Sequence, residues 1–86
     1  MVSRHLSGAI RVHGNVLRQI ATLFGSRPFS AAELKVRGVP LVAGGTMTAL
    51  HRSGCVERVA RDRRGRAVWR LAPELTNYYA AQEVST

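Results

Sequence analysis

Between Arg58 and Leu71 the chain reads RVARDRRGRAVWRL, six arginines in fourteen positions with one aspartate among them. A guanidinium is permanently charged and offers five donors in a planar fork, a geometry that matches phosphate or carboxylate oxygens. Arginines at this density form a polyanion-binding surface when a folded element holds them in place. The plainer alternative is a charged hairpin that is merely solvated.

Little else in the chain offers chemistry. The five acids, Glu33, Glu57, Asp62, Glu74 and Glu83, are scattered rather than paired. No Gly-rich phosphate loop, Ser/His/Asp set or Cys/His pair occurs at a usable spacing, which argues against an enzyme. His5, His13, His51 and Cys55 lack the ligand spacing of a zinc site, so neither metal nor cofactor is expected. A lone Cys55 cannot form an intramolecular disulfide and reads as a small buried residue at a strand start. His51 reads as a surface histidine and His13 as an interior one.

Twelve Arg and one Lys against five acids give a net charge of +8, unevenly placed. Residues 1–34 carry +3 (four basic, one acidic), residues 35–71 carry +7 (nine basic, two acidic), and residues 72–86 carry −2. A small domain with localised positive charge has the electrostatic footprint of a nucleic-acid binder, because each phosphate contact releases condensed counterions. An anionic membrane surface or an acidic protein is the competing partner. The 86 residues make one domain, and 45% apolar with 21% charged residues is the composition of a chain that folds. With no apolar run of spanning length and no signal-like leader, the expectation is a cytoplasmic protein with no membrane association.

The elements that must hold the arginines can be read from spacing. Over residues 6–24, Ile10, Leu17, Ala21 and Phe24 share one helical face with Ile20 beside them. Val12, Val16 and Leu23 widen that face, so a second element or a partner chain should cover them. A short second helix is predicted over 30–37, with Ser30 and Glu33 as a capping box, Phe29 and Leu34 as a hydrophobic staple, and a brief strand over 27–29 before it. Gly38 and Pro40 stop it. A third helix is predicted over about 42–53, ending at Gly54; Ala43, Met47 and Leu50 point one way, and Gly45, Thr48 and Arg52 the other, with Ala49 beside them. Residues 55–71 then form a hairpin with a three-residue loop Arg63, Arg64 and Gly65, a register that pairs Val59 with Trp69 and sends the arginines to the tip and the opposite face. Trp69 is expected in the core. A last helix over 73–82 would use Leu75, Tyr78 and Tyr79 as its apolar contacts.

This order, carried by FSAAELKVRGV, TMTALHRSGCVERV and RDRRGRAVWRL, resembles the winged-helix variant of the helix-turn-helix family. The resemblance implies an α+β, mainly α fold, in the order first helix, brief strand, two helices, two-stranded wing and last helix. It implies a double-stranded DNA-binding protein, a transcription regulator or chromatin-type protein associated with the nucleoid. Carried over residue by residue, Gly45, Thr46, Thr48, Ala49 and Arg52 lie at or near the duplex, with Thr48 and Arg52 as readers of base edges. Arg61, Arg63, Arg64 and Arg66 form the wing tip, and Lys35 and Arg37 are placed to meet backbone phosphates. No small-molecule ligand is expected. A homodimer through the first and last helices would double the phosphate contacts. Binding of structured RNA and a protein-interaction module are the alternative readings.

Overall fold

The computed structural model describes residues 4–39 and 46–84, which form four helices and a three-stranded antiparallel sheet, an α+β arrangement in which helix predominates. The first helix, α1, runs from Arg4 to Phe24. It turns Leu6, Ala9, Leu17, Ile20 and Phe24 into the core, with Ile10 and Ala21 half-buried beside them. Val16 and Leu23 also pack on this core, so the wide apolar arc is largely covered by the chain's own elements. Val12, 75% exposed, projects from it. His13 is half-buried rather than interior.

The turn after α1 stacks Phe24 on Phe29, with ring centroids 5.1 Å apart, and enters β1 (Phe29–Ser30), two residues later than the strand predicted at 27. Helix α2 (Ala31–Val36) begins as its sequence dictates. The Glu33 amide donates to Ser30 Oγ at 3.2 Å and the Ser30 amide donates to Glu33 Oε1 at 3.1 Å, which satisfies two otherwise orphan donors. The staple residues Phe29 and Leu34 are fully buried. Ser30 is the N-cap that its capping box predicts, and Arg37, predicted as the last helical residue, is the C-cap.

Helix α3 spans Thr46–Arg52. The predicted start near 42 and Gly45 itself lie outside the described residues. Its end is chemically explicit. The Cys55 amide donates to Leu50 O at 2.9 Å and the Gly54 amide to His51 O at 3.0 Å, a Schellman closure that needs Gly54 at φ +77°, where a Cβ would be strained. Leu50 and Cys55, the apolar pair that accompanies this closure, are both fully buried. α2 closes in the same way through Gly38, with Leu34 and Val39 as the buried pair.

Strand β2 (Val56–Arg61) turns back into β3 (Ala67–Leu71), and helix α4 (Pro73–Val84) follows, running two residues beyond the predicted end. The sheet order is β1-β3-β2, so the hairpin has a third strand on β3 rather than standing as a two-stranded wing. β1 joins through Phe29 opposite Trp69 and Ser30 opposite Val68. The Ala72 amide donates to Cys55 O at 2.8 Å and ties the hairpin base shut. α4 packs on α1 within the chain, burying Leu75 and Tyr79 and half-burying Tyr78. Among the described residues, no helix is long and apolar enough to cross a membrane.

Candidate nucleic-acid interface

The hairpin tip is built by Asp62. Its Oδ1 accepts from the amides of Arg64 and Arg66, each at 2.9 Å, and its own amide donates to Arg66 O at 2.9 Å. Gly65 takes the left-handed position at φ +78°, and its amide donates to Asp62 O at 3.0 Å. The one acid of the tip thus spends its carboxylate on the backbone. A carboxylate held there fixes the loop that displays Arg63, Arg64 and Arg66, whose side chains are exposed and form no hydrogen bond or ion pair with the described residues. Arg61, at the end of β2, donates from Nη1 to Gly65 O at 3.3 Å and braces the loop from the strand.

Below the tip the predicted register does not hold. Arg61 lies opposite Ala67 and Ala60 opposite Val68, as a three-residue loop requires, but Trp69 faces Arg58, Arg70 faces Glu57, and Leu71 faces Val56. A bulge between Arg58 and Ala60 absorbs the difference, and Val59, expected to pair with Trp69, is the extra residue and 41% exposed. The faces of the ribbon change accordingly. Side chains alternate along β3, so Ala67, Trp69 and Leu71 share one face, and their partners Arg61, Arg58 and Val56 share it with them. The other face carries Arg70 and Glu57, ion-paired at 2.8 Å between half-exposed side chains.

Trp69 is half-buried, packed against the core without being enclosed by it. Its ring meets His51 of α3 edge-on, with centroids 5.2 Å apart and planes at 62°. That contact joins the last turn of α3 to the arginine ribbon.

On α3, Leu50 is fully buried and Met47 half-buried, while Thr48 and Arg52 are exposed and Ala49 is half-buried. Thr46 opens the helix. Lys35 and Arg37 are exposed at the end of α2, and their side chains make no hydrogen bond or ion pair with the described residues. The structure therefore groups Arg52, the hairpin arginines and the His51–Trp69 pair around one helix end and one ribbon, while Lys35 and Arg37 sit on a separate helix. Three participants go unread in the sequence, two of them beyond the reach of residue type and spacing. Arg58 was hidden by the bulge and His51 by its exposure, whereas the role of Asp62 was open to recognition as an aspartate placed before a Gly-ended turn.

Among the described residues, no group of three His, Cys, Asp or Glu side chains is arranged to hold a metal ion. The Cys55 thiol is pushed up from its ordinary value by burial. No family model, curated protein or solved structure matches the chain.

Proposed function

We propose that the protein binds double-stranded DNA as a winged helix-turn-helix domain, with α3 as the recognition helix and the β2–β3 hairpin as its wing. The observation that carries this reading is the combination of Arg63, Arg64 and Arg66, whose side chains make no hydrogen bond or ion pair with the described residues, and the His51–Trp69 contact, which joins their hairpin to α3. Arg61, Arg63, Arg64 and Arg66 supply charge to the phosphate backbone, and Arg52 and Thr48 face the duplex from α3. Few side chains on α3 can bond to base edges, so base readout is modest and the electrostatic contribution dominates. A role in transcription regulation or chromatin-type organisation in the nucleoid follows from that mode of binding. A homodimer through α1 and α4 would rest on exposed Val12, since Val16, Leu23, Tyr78 and Tyr79 pack within the chain.

The test is the anisotropy of a labelled random-sequence duplex at two salt concentrations. Four phosphate contacts lower the affinity by about two decades between roughly 50 and 200 mM salt. Absence of binding at the lower concentration overturns the proposal. An RNA duplex that displaces the DNA at lower concentration turns it into an RNA-binding reading.

A further inference from the structure

The bulge at Val59 does more than alter a register. It leaves the two faces of the hairpin with different electrostatic characters. The face shared by Val56, Arg58, Arg61, Ala67, Trp69 and Leu71 contains two arginines and no acid. Its inner end is anchored by buried Val56 and Leu71, and its middle is tied to α3 through Trp69 and His51. On the reverse face Glu57 and Arg70 neutralise each other at 2.8 Å. An approaching polyanion therefore meets unopposed charge on the α3 side and a closed ion pair behind.

We propose that the α3-facing side of the ribbon, and not the tip alone, is a phosphate-backbone contact surface, with Arg58 as an additional phosphate ligand on the strand itself. The inference rests on the duplex-binding reading and deepens it. Arg58 is exposed, its side chain has no hydrogen-bond or ion-pair partner among the described residues, and it stands directly opposite Trp69. An unbulged strand continuing the tip register would put Val59 in that place. Because guanidinium donors fan out in a plane, one arginine on a strand flanking a half-buried indole can engage a phosphate while its stem lies along the ring. The contact carries no base information and acts on every sequence alike.

Trp69 is the chain's single tryptophan, so its emission reports on this face alone. The experiment titrates the whole chain with a random-sequence duplex and follows Trp69 emission together with the anisotropy of the labelled DNA. The expected result is a saturable change in emission that tracks the anisotropy. Arg58→Gln should weaken binding about five- to tenfold near 0.1 M salt and reduce the slope of log K against log salt by about one. Arg58→Lys should keep the slope, and Arg70→Gln should bind within about twofold of wild type, because its partner is Glu57 and not a phosphate. Thermal melts of the variants separate binding from folding. Either a flat Trp69 emission during binding, or an Arg58→Gln affinity and slope equal to wild type, overturns this proposal and leaves the duplex-binding reading standing. Failure of the wild type to bind the duplex at all overturns both.

Discussion

His51 and Trp69 meet edge-on at 5.2 Å, and through them the last turn of α3 and the middle strand of the sheet form one unit. Trp69 also stands opposite Phe29 of β1 and Arg58 of β2, the strands on either side of β3. Trp69→Ala should cost about 2–3 kcal/mol, below the range for a fully enclosed aromatic because the ring is only half-buried. His51→Ala should cost about 0.5–1.5 kcal/mol, the worth of an aromatic pair. Urea melts check both values, and Trp69→Phe should recover most of the loss.

The side chains of Arg63, Arg64 and Arg66 make no hydrogen bond or ion pair with the described residues. Replacing all three with Gln should leave the melting temperature almost unchanged while reducing the salt slope of duplex binding by about three. The loss of affinity should be equal for unrelated duplex sequences. Sequence-dependent loss would mean that the tip reads bases.

Asp62 makes the opposite prediction, since its side chain serves the fold and opposes a polyanion. Asp62→Ala removes the acceptor for two amides and should cost about 1 kcal/mol, although it raises the net positive charge. Amide exchange at Arg64 and Arg66 should accelerate in that variant and return toward the wild-type rate in Asp62→Asn, which keeps a side-chain oxygen.

Alkaline pH should loosen the core from two points. Burial pushes the Tyr79 hydroxyl above its ordinary value of 10.0, with the neighbouring Tyr78 adding to the effect, and raises the Cys55 thiol above 9.0. For both acids the neutral form is favoured in the folded chain, so the unfolded chain holds fewer protons once pH exceeds the ordinary values. Stability from these groups is complete below about pH 9 and falls as pH rises through 10 and beyond. The Tyr79 hydroxyl is also buried without a hydrogen-bond partner among the described residues. Tyr79→Phe should therefore melt at an equal or higher temperature at pH 7 and lose less stability at pH 10.5, as differential scanning at the two pH values would show.

What could be read from the residue order was whatever is decided within one turn of chain. Ser30 with Glu33, Phe29 with Leu34, and Gly54 after α3 each act over three to five residues, and all three are found in the structure. The bulge could not be read, because it reconciles two distant demands. The turn at Gly65 sets Arg61 opposite Ala67, while burial of Val56 and Leu71 sets those two opposite each other, and the two registers differ by one residue. Val59 takes up that residue, and with it the face on which Arg58 stands. In the same way, spacing showed that Val16 and Leu23 needed cover, but not that the same chain would supply it.

Among the described residues, the strand order β1-β3-β2 leaves the outer side of β2 without a neighbour in the sheet. A bare strand of this kind is a template on which a second molecule can add its own strand and begin a growing stack. Here two copies aligned along that margin would bring Arg58 and Arg61 of each into the same small space, and the kink at Val59 would break the regular row of amides and carbonyls needed for a continuous ladder. The feature that shapes the ribbon's charged face thus also opposes the pairing of two copies along β2.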